Sequence, residues 1–266
     1  MCAAEASKKK KSGRRDDESE PTRDRAPSKP AKSKTVGPEP VDVAPSKPGR
    51  FIVVGNLKGG SGKSTVAFNL AVWLAGRGHP IRLVDLDPQR TLSDLVAIRN
   101  EIGWEPLLDT PSTDADQAPA PEGTCTIVDV GAADMAGMLA AVTLADLVLV
   151  PVMPGQADIW ATQRYLRTID RERPDHCAIR LFVNRADPGD GSRETREAVV
   201  ALEAIAGMLA AVSVLPARLG RRVAFCRSLS EGSAVFELEP KSKASEEFQA
   251  LAQAIFEPRR GRNRKS

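Results

Sequence analysis

The chain of 266 residues carries 38 Lys or Arg against 35 Asp or Glu, a formal net charge of +3, with 41% hydrophobic residues, enough for one substantial α/β domain with a buried core. No apolar run approaches the ~20 residues of a membrane helix, and Cys2, Cys125, Cys177 and Cys226 form no C-x-x-C pair, which argues against a structural zinc, an iron–sulfur scaffold or a disulfide framework. Charge is segregated: residues 1 to 50 hold thirteen basic against eight acidic side chains and the last nine residues hold five basic and none acidic, leaving residues 51 to 257 at −7.

Residues 1 to 50 contain seven prolines and no aromatic residue, with the run "SKKKKSGRR" and two copies of "PSKP". Such a segment cannot bury enough apolar surface to offset its ordering entropy, so a disordered basic tail is expected. It reads either as a solvated leader or as an arm drawn to DNA or an acidic partner by charge. Residues 258 to 266 form a second basic tail. The basic start is not followed by the apolar stretch of a secretory signal, and a cytoplasmic location is expected.

From Phe51 onward short apolar runs alternate with helical periodicity. "RFIVVGN" predicts a first strand, and the segment from Lys63 to Gly76, with Val66, Ala67, Leu70, Val72 and Leu74, predicts a helix. "PIRLVDLD", "TCTIVDV", "ADLVLVPV", "AIRLFVN" and "AAVSVLP" predict five more strands, apolar on nearly every residue as strands covered on both faces are. Cys125 reads as a small strand residue. Helices are predicted near 91–101, 134–144, 156–171, 192–209 and 241–256. Residues 103 to 123, rich in proline and aspartate, predict a surface loop or poorly ordered insertion. The alternation implies an α/β domain over residues 51–257: a mostly parallel twisted sheet with helices on both faces.

In such a sheet the ligand site lies at the carboxyl ends of the strands. The first strand runs into "GNLKGGSGKST". The common phosphate loop is G-x-x-x-x-G-K-[ST], but counting back from Gly62 puts Leu57 where its first glycine belongs, and an extra lysine, Lys58, precedes Gly59 and Gly60. Gly59, Gly60 and Gly62 allow successive backbone N–H groups to converge on phosphate oxygens at the positive end of a helix. Lys63 supplies a point charge to the β and γ phosphates, and the Ser64 hydroxyl suits Mg²⁺. The second strand ends in Asp85 and Asp87, and the third in Asp129, placed to hold the shell of that ion through water.

"KGGSGKST" and "LVDLDPQ" resemble the deviant Walker A motif and the second motif of the ParA/MinD family of ATPases. "ADLVLVPVMPGQADIWA", "LFVNR" and "VLPARLGRRVAFCRSLSEGSAVFE" are similar to later family segments, so the resemblance spans residues 51 to 257. It implies the deviant Walker A variety of the P-loop NTPase fold, ATP bound by Gly59, Gly60, Ser61, Gly62, Lys63, Ser64 and Thr65, and Asn184 against the adenine. It implies Mg²⁺ at Ser64, with Asp85 and Asp129 near its water shell. Lys58 would reach the ATP of a second subunit, completing the catalytic set with Lys63 and Asp87, the residue that positions the attacking water. Asp85 and Asp87 also read as caps of the following helix, and Asn184 as a turn residue.

By the same resemblance the protein is a homodimer when ATP-bound, binds DNA without sequence preference, associates with the nucleoid, and answers to a ParB-like activator in partitioning plasmid or chromosomal DNA. Arg218, Arg221, Arg222 and Arg227 are the candidate DNA contacts, with Lys241 and Lys243 behind them; a solvated face or internal ion pairs is the other reading of these side chains. A MinD-like or MipZ-like regulator of the division site or another cargo is the alternative function. Its membrane-bound variety would need an amphipathic C-terminal helix; Phe248, Leu251, Ile255 and Phe256 have helical spacing but read better as a helix docked on the domain, so no membrane partner is expected. Two features depart from the family pattern: Gly131 stands where proline is usual after the third strand, and a basic tail replaces the helix-turn-helix domain of larger partition proteins, so operator binding is not expected.

Overall fold

The computed structural model describes residues 49–114, 121–187 and 192–256. Both basic tails, and the readings made of them, lie outside these residues.

Six strands, β1 (Phe51–Val54), β2 (Ile81–Asp85), β3 (Cys125–Asp129), β4 (Leu147–Val152), β5 (Ala178–Val183) and β6 (Val212–Val214), form one sheet in the order β2-β3-β1-β4-β5-β6. Every neighbouring pair is parallel. The helices are α1 (Lys63–Ala75), α2 (Thr91–Ile102), α3 (Met135–Thr143), α4 (Gln156–Ile169), α5 (Arg193–Ala206), α6 (Val223–Ser230), α7 (Val235–Leu238) and α8 (Lys243–Phe256).

Side chains alternate across the sheet. Ile52, Val54, Ile127 and Leu149 face a core completed by α1, α2, α6, α7 and α8. Val53, Val128, Val148 and Val150 face a second core under α3, α4 and α5. This double covering accounts for strands that are apolar on consecutive residues. Cys125 is buried at the start of β3. In α8, Phe248, Leu251 and Ile255 are buried, and Phe256 stacks on Trp73 of α1 at 5.6 Å between centroids. The apolar face of the last described helix is therefore occupied by its own domain.

Two expectations are corrected. The segment after α2 is not simply a surface loop: Leu108 and Pro111 are buried, and Ser112 pairs with the outer edge of β2, donating to Leu83 O at 2.9 Å and accepting from Asp85 N at 2.8 Å. That bridge covers an otherwise open strand edge; residues 115–120 lie outside the described residues. The helices α6 and α7 were not foreseen. At eight and four residues they are too short to stand on propensity and are held by tertiary contacts.

Candidate functional site

β1 lies between β3 and β4, so the loop after β1 opens at the point where the chain turns to opposite sides of the sheet. That loop is residues 55–62. Gly60 (φ 74°) and Gly62 (φ 91°) adopt left-handed backbone that an L side chain would strain. Gly62 is also the N-cap of α1; no side chain caps this helix and its first turn holds no acid. Its leading N–H groups and the positive end of its dipole are thus left for an anion. A Cβ on Gly62 would run into the Asn184 amide, which lies against the loop and donates to Ser61 O at 2.6 Å.

The loop borders a cleft of about 410 Å³ whose other walls are Asp87–Gln89, Thr91, Ala132, Ala133 and Arg185. Lys63 and Ser64 line it. Burial lowers the Lys63 pKa, and the charges of Asp129 and Asp87 pull it back upward. Asp129 is fully buried and neither of its oxygens makes a hydrogen bond of good geometry among the described residues. Burial raises its pKa to about 7, with Asp85 and Asp87 adding to the rise, while the nearby Ser64 hydroxyl and Lys63 oppose it.

A buried carboxylate without a partner, beside a serine hydroxyl and a lysine, suits a cation held partly through water. Among the described residues no cluster of three His, Cys, Asp or Glu forms a cage. One hydroxyl with a carboxylate behind it would leave most of a cation's positions to water and phosphate, a donor set that suits Mg²⁺.

The two acids after β2 divide. Asp85 is buried and its oxygens accept from Asp87 N (3.1 Å), Ser93 N (2.9 Å) and Ser93 Oγ (2.7 Å). It thereby fastens the turn to α2, which is the capping reading of this residue; its place in a metal's water shell rests on the resemblance alone. Asp87 faces the cleft, and its Oδ1 accepts from Gln89 N at 3.0 Å. Gly131 explains itself here: a Cβ on it would lie 3.1 Å from Asp87 Oδ1 and 3.0 Å from Pro88 Cδ. The strand end that lacks the usual proline is pressed directly onto the Asp87 turn.

Lys58 is exposed and is not among the residues that line the cleft of its own chain. Its backbone N–H donates to Asn56 Oδ1 at 3.2 Å. Asn56, missed from the sequence, is buried and donates to Pro151 O (2.9 Å) and to Thr162 Oγ1 of α4 (3.3 Å). Its signal was there: an amide at a strand end, able to donate and accept at once, suits a loop brace. Arg185 was also overlooked; it lines the cleft with φ 54°, a left-handed conformation unusual for a side chain of this size.

The proposed DNA contacts are not one free cluster. Arg222 pairs with Glu247 of α8 through Nη2–Oε1 (2.5 Å) and Nε–Oε2 (2.9 Å). Arg227 pairs with Glu239 at 3.0 Å and Lys243 with Glu246 at 2.8 Å. Arg218, Arg221 and Lys241 are exposed. For Arg222 and Arg227 the geometry is that of internal ion pairs.

Comparison with known proteins places these features in context. Residues 52–235 match the model of the CobQ/CobB/MinD/ParA nucleotide binding domain. The chain is 30% identical over 214 residues to the maintenance of carboxysome distribution protein A of Halothiobacillus neapolitanus, spanning 77% of this chain and 95% of that protein. It is 48% identical over 59 residues to the chromosome-partitioning ATPase Soj of Thermus thermophilus, 22% of this chain and 24% of Soj. Among solved structures, apo McdA of Cyanothece superposes with a TM-score of 0.62 at 19% identity over 77% of this chain and 98% of that one, a likeness of fold.

Proposed function

The chain belongs to the CobQ/CobB/MinD/ParA nucleotide-binding domain family, and from that membership we propose that it is a Mg²⁺-dependent ATPase working as a dimerisation switch, binding DNA without sequence preference and moving a cargo with a ParB-like activator. The observation that carries this reading is the division of labour between two lysines. Lys63 lines the cleft, whereas Lys58 stands exposed outside it, five residues earlier on the same loop.

The backbone N–H groups of Gly59–Gly62 and the uncapped start of α1 bind the phosphates, and Lys63 adds its charge at the β and γ positions. Ser64, with Asp129 behind it, would hold Mg²⁺, which would supply neutralising charge to the phosphates. Asp87, steadied through Oδ1 by Gln89 N–H, accepts a hydrogen bond from the attacking water and orients it. Lys58 supplies positive charge to the ATP of a second subunit, so the charge that stabilises phosphoryl transfer is complete only in the closed dimer. Asn184, already against the loop, is proposed to contact the adenine. The Cyanothece McdA structure with ATP supports the choice of nucleotide.

A second reading keeps the switch and changes the cargo. A relative matched along nearly its whole length is a carboxysome distribution protein, which favours a cellular body, or a division site as for MinD and MipZ, over a plasmid.

Lys58→Ala tests the carrying observation. The variant is expected to bind ATP yet remain monomeric by light scattering, with hydrolysis at background; an ATP-dependent dimer indistinguishable from wild type would reject the trans assignment.

A further inference from the structure

The exposed face of α4 carries a large aromatic residue and a row of arginines. Trp160, Arg164, Arg167 and Arg171 follow one another at i, i+4, i+7 and i+11, with Arg171 in the turn after the helix, so they fall on one stripe. All four are exposed, Trp160 by 57%. The positions flanking the stripe, Gln156, Ala157, Gln163 and Thr168, are uncharged. Of the acids near the end of the stripe, Asp170 is engaged with Arg173 at 2.9 Å, and Glu172 is exposed. None of the three arginines of the stripe pairs with a carboxylate among the described residues, in contrast to Arg222 and Arg227.

We propose that this face of α4 is a docking surface for the phosphate backbone of duplex DNA. The inference rests on the DNA-binding reading above and gives it a surface. Three guanidinium groups without a carboxylate partner among the described residues, spread along about 10 Å of helix axis, have the reach of a short run of phosphates of one strand, which rise about 3.4 Å each along the duplex axis. The body from residue 51 to 257 carries −7 overall, so a stripe of basic side chains on it stands out as a local attraction for a polyanion. A large exposed aromatic beside arginines is the composition of a contact surface rather than of a solvated helix.

The surface is wired to the nucleotide loop. Thr162, buried beneath the stripe, accepts from Asn56, whose Oδ1 accepts from the N–H of Lys58. A rearrangement of the loop on dimerisation would therefore shift the start of α4, linking DNA attachment to the bound nucleotide.

The test is fluorescence anisotropy of a random-sequence duplex with the full chain and ATP over a salt series. Arg164→Glu/Arg167→Glu is expected to weaken binding about tenfold or more and to make the log K against log salt slope shallower by about 2. Arg167→Gln/Arg171→Gln, a turn farther from the loop, should weaken binding without altering ATP-dependent dimerisation by light scattering. Unchanged DNA affinity and slope in both variants overturns the proposal. So does unchanged DNA affinity with a lost response to a protein activator, which would give the stripe to an acidic protein partner. Wild-type protein that dimerises with ATP but binds no DNA overturns the DNA-binding reading itself, a different result from a loss confined to the variants.

Discussion

Asp129 is buried at the end of β3 beside the Ser64 hydroxyl, neither of its oxygens makes a hydrogen bond of good geometry among the described residues, and its pKa stands at about 7 against an ordinary 3.8. An acid whose folded pKa is raised favours the folded state when protonated. That contribution is complete below pH ~4 and is lost as pH rises through about 7. Asp129→Asn removes the unpaired charge, so the nucleotide-free variant is expected to melt above wild type at pH 8, by about 2–4 °C for each kcal/mol recovered, with the difference fading as pH falls toward 4. Thermal melts at pH 8 and pH 5 decide the matter; an equal shift at both would show that charge is not the cause. The same substitution is expected to abolish Mg²⁺-dependent hydrolysis, separating a residue kept for chemistry from one kept for stability. Gly131, by contrast, could be noticed in the sequence only as a departure from a pattern. Its meaning, room for the Asp87 turn, required the strand ends to be seen side by side.

At the scale of elements, the four-residue α7 shows what periodicity cannot reveal. It is held to α1 by Val235 N donating to Asn69 Oδ1 at 2.9 Å, and to α2 by a bidentate pair, Arg99 Nη1 to Glu237 Oε2 and Nη2 to Oε1, both at 2.8 Å. Arg99 is wholly buried and also donates to Pro106 O and Gly232 O. The two helices that leave the phosphate loop and the Asp87 turn are thus tied to a single short segment. Glu237→Ala would strand a buried guanidinium and is expected to lower the unfolding free energy by about 3–5 kcal/mol. Glu239→Ala, which breaks the exposed pair with Arg227, should cost about 1 kcal/mol or less. Urea unfolding of the two variants measures the contrast, and similar losses would show that the Arg99 pair is not a structural tie. No helix signal marked α7 because its stability comes from residues more than a hundred positions away.

For the whole molecule the question is which surface the switch presents. Among the described residues no helix is long and apolar enough to cross a membrane, and the apolar face of α8 is packed on α1 and the sheet. With ATP, the full chain is expected to retain random-sequence DNA in a manner that weakens steeply with salt and to leave anionic liposomes unbound. Co-sedimentation with liposomes and indifference to DNA would replace the DNA reading with a MinD-like one. By itself, the sequence determined the parallel α/β sheet, the glycine-rich loop after β1 and the family, since each is written in short contiguous stretches: consecutive apolar runs, glycines at fixed spacing, acids at strand ends. Tertiary structure alone decided that Asp85 fastens the start of α2 while Asp129 lies buried beside Ser64 and Lys63, that Arg222 and Arg227 are tied to carboxylates, and that among the described residues the exposed arginines of α4 have no carboxylate partner. Whether a charged group is paired depends on neighbours brought together by the fold from distant parts of the chain, and no local pattern encodes that distance.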